Sequence, residues 1–388
     1  MDIINFKQIN FGNNGIRLLI VLATIFIVWN NVQNVTLNIG GSLHAFNAYF
    51  CSPMLFVILI SFGFLSANNN FSWKEYSKLI LAIMILSLVT SFMYLDFFAF
   101  KKGYVTTGYM IGLWFKLLFF DYGKWMIWII IGGSALVKVV TNHFSLSNKS
   151  WNIVKIITLV ITSILLIIVL IFSINLQLTS KLYWYDNFNW DLFYVSFREG
   201  GFLQLIPGLL AFLVGLNFQW WVNWEKIKDN VVYSLLSFSL FIVIISCRMI
   251  FYFPLIYWDI MEILQALFLF IPFIMLNINY NKTLAFLFHG TTFILFFHIA
   301  FNKIISVEFM TGLLLRLIFG LNVARRAVEF VNNNFFVTII YSFVKMSILI
   351  FFCAFLSRQY VKLFKFEVFA IEKKKAIIHW TYSVIKFN

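Results

Sequence analysis

The chain alternates long apolar segments with polar connections. A helix of about 17–25 apolar residues crosses the hydrocarbon core of a bilayer at a rise of about 1.5 Å per residue. A shorter apolar stretch at 309–321 is interrupted by Arg316, which predicts an interfacial or re-entrant helix. The pattern therefore predicts an all-α, polytopic membrane bundle with about ten spans: 15–30, 53–67, 79–98, 125–140, 153–174, 202–220, 231–253, 260–276, 284–305 and 335–356.

Composition excludes a soluble protein of this size. Hydrophobic residues make up 62% of the chain and charged residues 11%, against about 45–50% and about 25% in soluble domains. The net charge of +14 would suggest nucleic acid in a soluble protein. Here the basic residues lie mainly between and after the apolar segments, which indicates membrane topology and contacts with anionic lipid, with no nucleic-acid partner.

The last span indicates the orientation. It is followed at once by Arg358, Lys362 and Lys365, and positive charge next to a span favours the cytoplasmic side. An even number of spans then predicts that both termini are cytoplasmic. The sequence divides into a membrane domain over 1–358 and a basic cytoplasmic tail over 359–388. Enrichment in Lys, Asn, Ile and Phe is typical of an AT-rich bacterial genome, so we expect a bacterial cytoplasmic membrane.

Ionisable residues within or beside the spans are the candidates for function, because such groups are costly in lipid and face a partner or a cavity. Arg17 fits either snorkelling to the headgroups or binding of a phosphate-bearing donor. His298 fits either a structural histidine or a site residue. Asp259 and Glu262 are predicted to pair with Arg248. The full set is Arg17, His44, Arg198, Glu199, Arg248, Asp259, Glu262, His298, Arg316 and Lys345.

Several common chemistries are absent from the sequence. There is no P-loop, glycine-rich dinucleotide motif or GxSxG elbow, which argues against a nucleotide-driven pump. His289 and His298 do not complete a metal site, and Cys51, Cys247 and Cys353 are far apart. We therefore expect no metal cofactor.

Five segments, in chain order, resemble membrane acyltransferase family 3. Residues 14–19 (Asn-Gly-Ile-Arg-Leu-Leu) are similar to the Gly/Arg opening of its first helix. Residues 53–56 and 61–65 resemble its Pro-Leu-Phe-Phe and Ser-Gly-Phe second helix, with one extra residue. Residues 123–128 resemble its Trp-Phe-Leu entry, 202–215 its Phe-Pro-Phe-Phe-Leu-Leu-Gly segment, and 292–298 its Ser-Phe-x-Ile-Tyr-Leu-x-His motif.

The resemblance implies an enzyme that transfers an acyl group, most simply acetyl, from cytoplasmic acyl-CoA to a cell-surface polysaccharide or glycolipid. Arg17 and His298 match the family's motifs and become candidate catalytic residues. The family's reactive histidine follows the first-helix arginine by eleven positions, where this chain has Val28. His44 is the candidate replacement. Arg198, Trp125 and Arg316 are the candidate substrate-binding residues.

Two alternatives stay open. Loss of the first-helix histidine favours a polysaccharide export component without acyl transfer. Long outer connections with arginines are also typical of a glycan polymerase of the O-antigen type that uses a lipid-linked donor; here they carry Arg198, Arg316, Arg325 and Arg326.

Overall fold

A computed structural model of the chain describes the helical part of the protein. The described residues are 13–36, 47–67, 77, 80–81, 83–90, 124–144, 148–183, 205–223, 227, 231–250, 258–276, 283–284, 286–288, 290–291, 294–295, 297–298, 316–320, 322–323, 326, 330 and 334–364. Within these ranges the secondary structure is helical, with turns and no β-strand. The predicted all-α fold is confirmed to that extent.

The helices are α1 (Asn13–Thr36), a π-helical turn (Asn47–Cys51), α2 (Met54–Ser66), α3 (Lys124–Phe144), α4 (Asn148–Tyr183), α5 (Leu205–Trp221), α6 (Val231–Ile250), α7 (Trp258–Met275), the short α8 (Arg316–Phe319) and α9 (Phe335–Phe364). Residues 83–90 and the described positions between 283 and 298 are also helical. The described residues of each apolar segment are thus mainly helical, and α8 lies in the predicted interfacial stretch.

Among the residues that the structure describes, four helical stretches are long and apolar enough to cross a membrane: Tyr49–Ser66, Ser150–Ile171, Val231–Ile250 and Phe336–Gln359. They differ sharply in burial, from 78% of Tyr49–Ser66 to 11% of Ser150–Ile171. Such large exposed apolar faces on α4 and α6 are not tolerated in water. These helices are therefore compatible with a bilayer protein in which α4 and α6 face lipid and α2 forms the centre.

Glycines let α2 and α5 touch backbone to backbone. A Cβ added at Gly63 would overlap the carbonyl group of Phe212, and one added at Gly215 would overlap the backbone of Ile60. Small residues allow this approach in membrane bundles, where association depends on packing rather than on exclusion of water. Because each helix contributes a glycine, the crossing of α2 and α5 is fixed from both sides.

A similar approach joins α1 to α7. A Cβ at Gly15 would overlap the carbonyl oxygen of Phe273, so the start of α1 lies directly against the end of α7. Side-chain hydrogen bonds add to the packing elsewhere. The hydroxyls of Ser66 and Ser134 are 2.6 Å apart, which links α2 to α3.

The outer helix α4 is held by an amide on α5. Asn217 donates from Nδ2 to Thr162 Oγ1 at 2.7 Å and accepts from Thr158 Oγ1 at 3.2 Å. The two threonines lie one turn apart on α4, so one amide bridges both. Interhelical hydrogen bonds of this kind hold helices together in lipid, where about 0.6–2 kcal/mol each is typical.

A proline inside α7 leaves a carbonyl that another helix satisfies. Pro272 has no N–H for the carbonyl of Phe268, four residues earlier. The hydroxyl of Ser237 on α6 donates to that carbonyl at 2.8 Å. In lipid a freed carbonyl requires such a partner. The bond also fixes α6 against α7 close to the proline.

We predict that Gly63→Ala strongly destabilises the protein. The new methyl group would overlap the Phe212 carbonyl and force α2 away from α5, at a cost of about 3 kcal/mol or more. The matched control is Gly132→Ala, because a Cβ there meets open space and alanine favours helix. Melting temperatures in detergent compare the two; equal melting of both variants would contradict the proposed contact.

Candidate functional site

The strongest buried polar cluster joins α6, α7 and the π-helical turn. Arg248 is 1% exposed and Glu262 5% exposed. Arg248 Nη2 lies 3.0 Å from Glu262 Oε1, and its Nη1 donates to Gln265 Oε1 at 2.5 Å. Gln265 then donates from Nε2 to the carbonyl oxygen of Tyr49 at 2.8 Å. One guanidinium thus connects three elements.

The cost of burying charge explains why Arg248 has several oxygen partners. An unpaired arginine in the bundle interior would cost several kcal/mol, and one oxygen partner would not satisfy its fork of donors. Arg248 Nη1 also approaches the Tyr49 carbonyl at 3.5 Å, and its guanidinium lies 5.6 Å from the Tyr49 ring centroid. The predicted pairing of Arg248 is confirmed for Glu262. Gln265 and the Tyr49 carbonyl were not predicted, although Gln265 follows Glu262 by three residues on one helical face.

His298 is nearly fully buried, with 2% of its surface exposed. Its Nδ1 lies 2.8 Å from the carbonyl oxygen of Ile294 and 3.0 Å from that of Leu295. Carbonyl oxygens only accept, so Nδ1 carries the proton and Nε2 carries the lone pair in the neutral ring. This arrangement supports the structural interpretation of His298 and at the same time fixes Nε2 as its basic nitrogen.

Arg17 is half-buried near the start of α1. Its Nη1 donates to Asn14 Oδ1 at 3.1 Å, and its guanidinium lies 5.8 Å from the ring centroid of Phe288. The side chain is therefore oriented by two neighbours and does not extend freely to the surface. A partly exposed arginine in this position suits an anion that approaches from the end of the bundle.

Contacts with α1 give the depth of each polar group, which is its distance from Arg17 along the bundle axis. Arg17 lies beside Phe288, and Trp29 packs on Phe343 with ring centroids 5.0 Å apart. Trp29 follows Arg17 by about 18 Å at the helical rise of about 1.5 Å per residue. Ile294 and Phe297 share an apolar cluster with Val28 and Trp29, so the helical residues between 283 and 298 run in the same direction as α1. A Cβ at Gly290 would contact Ala354, so α9 runs antiparallel to both.

His298 and Lys345 reach the same depth by this measure. His298 follows Phe288 by ten residues, about 15 Å, and Lys345 precedes Ala354 by nine, which brings it to about 16–17 Å beyond Arg17. Phe26 contacts Phe50, with ring centroids 5.0 Å apart, next to the residue whose carbonyl binds Gln265. The Arg248 cluster therefore lies near this depth as well.

We call this region the polar layer: Glu262, His298 and Lys345 at the level of Phe26–Trp29 on α1. Val28, at the position where the resembled family has its histidine, falls within it. The sequence singled out all three polar residues separately. What it could not indicate is that they share a depth, since they lie on three different helices.

Two further polar groups face the interior together with Lys345, on a single face of α9. Thr338, Ser342 and Lys345 are 3%, 0% and 1% exposed, and their spacing of four and three residues is that of one helical stripe. Ser342 was not predicted as a site residue. The sequence signal for Ser342 was its spacing from Thr338 and Lys345, because positions at this spacing on a buried helix face are usually hydrophobic.

The remaining predicted site residues are distributed as follows. His44 and Arg198 lie outside the described residues. Arg316 begins α8, but its side chain is also outside them. Trp125 is 2% exposed, and its ring lies against Gly208 of α5, far into the core. Among the side chains that are described, no group of three His, Cys, Asp or Glu residues could hold a metal ion.

We predict that breaking the Arg248–Glu262 pair costs more than removing both partners. Arg248→Met leaves a buried carboxylate without its cation, a loss of about 3–5 kcal/mol. The double variant Arg248→Met/Glu262→Met removes that charge and recovers part of the loss. Unfolding in denaturant measures both. Arg358→Met, at an exposed arginine of α9, is the control, and a comparable loss there would overturn the interpretation.

Comparison with known proteins gives no relative. No family model matches the chain, no curated protein is similar to it, and no solved structure is similar to it.

Proposed function

We propose that the protein is an integral membrane acyltransferase of the bacterial cytoplasmic membrane. It would transfer an acyl group, most simply acetyl, from cytoplasmic acyl-CoA to a polysaccharide or glycolipid on the other side. The proposal includes ten membrane spans with both termini in the cytoplasm. It rests on the resemblance of the five sequence segments and on the arrangement of His298.

The observation that carries the proposal is the fixed tautomer of His298. Its Nδ1–H is held by the carbonyls of Ile294 and Leu295, so the basic lone pair of the neutral ring is on Nε2. His298 also lies at the depth of Val28, which occupies the position of the family's reactive histidine. A base supplied from a different helix, at the same depth, would replace the missing one.

Arg17 would bind the donor. Acyl-CoA carries its phosphates far from its thioester, at the other end of a long flexible arm. Arg17 lies about 15 Å from His298 along the bundle axis, so an arginine near the cytoplasmic end and a base deeper in the membrane suit the two ends of such a molecule. The guanidinium is held by Asn14 and Phe288 and would meet a phosphate without much loss of side-chain entropy.

The chemistry would be direct acyl transfer. His298 Nε2 takes the proton of an acceptor hydroxyl, whose oxygen attacks the thioester carbonyl. The new C–O ester bond forms as the C–S bond breaks, and the proton passes to the departing thiolate. Positioning of the two substrates provides the main effect, and general-base catalysis adds about 10²–10⁴-fold.

Two other functions fit the same scaffold. Val28 supports an export component without acyl transfer, in which His298 is only structural. Arg316, Arg325 and Arg326 support a polymerase that binds a lipid-linked donor. Both predict a change in the surface glycan without an added acyl mass.

We predict that cells with the protein carry a glycan with an added acyl mass, and that Arg17→Ala removes it. His298→Asn keeps a donor for the Ile294 carbonyl but supplies no base, so it should lower acylation at least about 100-fold. Arg358→Ala, which changes an exposed arginine, is the matched control. Mass spectrometry and linkage analysis of the purified glycan provide the measurement.

Each other result points to a different function. Shortened, unmodified chains favour the polymerase, and full-length chains trapped inside the cell favour export. Acyl mass that persists in His298→Asn limits this histidine to its structural role. An unchanged glycan in cells lacking the protein rules out all three functions.

The ten-span topology has its own test. We expect reporters fused in the connections 37–46, 99–123, 184–201, 254–257 and 306–334 to lie outside, and those at 68–76, 145–147, 224–230 and 277–282 to lie inside. The tail after 364 should be cytoplasmic, because Lys362 and Lys365 follow the last span. Reporters that fail to alternate would contradict both the count and the orientation.

A further inference from the structure

Lys345 has no hydrogen-bond partner among the described residues, although it is 1% exposed. Two further buried groups, Ser342 Oγ and Trp29 Nε1, also have no hydrogen-bond partner among the described residues. All three can donate a hydrogen bond, and Lys345 adds a positive charge. Three buried donors without an acceptor are unusual in a well-packed interior, where nearly all such groups are paired.

The three donors lie at one level of the bundle. Ser342 and Lys345 are three residues apart on the buried face of α9. Trp29 packs on Phe343, which is adjacent to Ser342 in the chain, with ring centroids 5.0 Å apart. The indole therefore lies at the level of Ser342 along α9. Val28 and Trp29 also share an apolar cluster with Met346, Leu349, Ile294 and Phe297, which surrounds the donors with hydrocarbon.

An ammonium group in this setting needs a negative charge. Burial of an unpaired cation in a low-dielectric interior is strongly unfavourable, and intramembrane lysines normally have a carboxylate, a phosphate or water beside them. Glu262, the buried acid described in this layer, is already bound by Arg248. The three donors therefore still need an acceptor with a negative charge.

We infer that Lys345, Ser342 and Trp29 form a binding site for an anionic group, a phosphate or a carboxylate, carried by a ligand that enters the bundle. The lysine supplies the charge, and the hydroxyl and the indole N–H supply two directed hydrogen bonds. The site lies at the depth of His298, so the bound anion and the proposed base are at the same level of the bundle. That the ligand is the acyl acceptor rests on the proposed function; the anion site itself does not.

A first experiment measures stability without ligand. In non-ionic detergent and a buffer free of phosphate and carboxylate, Lys345→Met should melt at the same temperature as the unsubstituted protein or higher, because methionine fills the volume of the lysine stem without a charge. The control is Lys155→Met, at a half-buried lysine on α4 whose Nζ lies 6.0 Å from the Trp221 ring centroid. A large drop for Lys345→Met alone means that a carboxylate of the chain is its partner and overturns the site.

A second experiment adds the anion. Inorganic phosphate, glucuronate and phosphatidylglycerol are titrated separately, and the melting temperature of the protein is followed. At least one probe should stabilise the unsubstituted protein and Lys155→Met, and its apparent affinity for Lys345→Met should be about tenfold weaker or more. Ser342→Ala should weaken it less. A response only to phosphatidylglycerol assigns the anion to a lipid headgroup; a response to phosphate or glucuronate assigns it to a soluble substrate group. No response, or an equal response of Lys345→Met, overturns the proposal.

The glycan assay separates this proposal from the proposed function. If the acyl mass depends on Arg17 but is unchanged in Lys345→Met, the acyltransferase function stands, and the bound anion is not part of the acyl acceptor. Loss of acyl transfer in Lys345→Met, with a melting temperature equal to that of the unsubstituted protein, supports an anionic acceptor. If no acyl mass is found at all, the melting experiments still decide whether the anion site exists.

Discussion

Hydrocarbon offers no hydrogen-bond partner, so every polar group inside this bundle depends on another part of the protein. Arg248 illustrates the consequence: two helices and a π-helical turn contribute Glu262, Gln265 and the Tyr49 carbonyl to one guanidinium. The same constraint accounts for Ser237, which satisfies the carbonyl that Pro272 leaves open. Polar contacts in this protein therefore determine which helices are neighbours, and they also stabilise the packing of those helices.

Close helix packing determines where those polar groups come to lie. Gly15 sets α1 against the end of α7, and Gly290 sets its helix against Ala354 of α9. Together with the contact between Arg17 and Phe288, these two contacts and the uniform rise of the helices bring His298, Lys345 and Glu262 to a common depth. The polar layer thus follows from a few glycines some distance away from it, on different helices.

The polar layer contains two different kinds of polar group. The Arg248 cluster joins a carboxylate, a side-chain amide and a backbone carbonyl, which suits a structural role at the junction of three elements. Lys345, Ser342 and Trp29 form a set of donors within an apolar cluster, at the depth of a histidine whose tautomer is fixed by the backbone. Ligand chemistry is expected at groups of the second kind, because they can still form hydrogen bonds with a bound molecule.

The helices themselves were predictable from the sequence. Apolar segments of span length can be satisfied in lipid only as helices, and α1, α5 and α6 begin and end within a few residues of the segments that their hydropathy indicated, except for the six-residue extension of α1 to Thr36. The sequence also indicated that Arg17, Arg248 and His298 need polar partners, since an ionisable residue in an apolar segment is unfavourable without one, and the structure shows partners for these three. The partner of Arg248 was predicted as one of two acids fourteen or fewer residues away, which local spacing allows.

Only the tertiary structure decided how these residues combine. Whether Asp259 or Glu262 binds Arg248, and that a backbone carbonyl of the π-helical turn joins them, depends on the rotation of α7 against α6. That Val28, His298 and Lys345 share one depth depends on contacts between residues more than 250 positions apart in the chain. Hydropathy reports how strongly each segment prefers lipid to water, and it carries no information about which face of a helix meets which neighbour; the close contacts at glycines supply that.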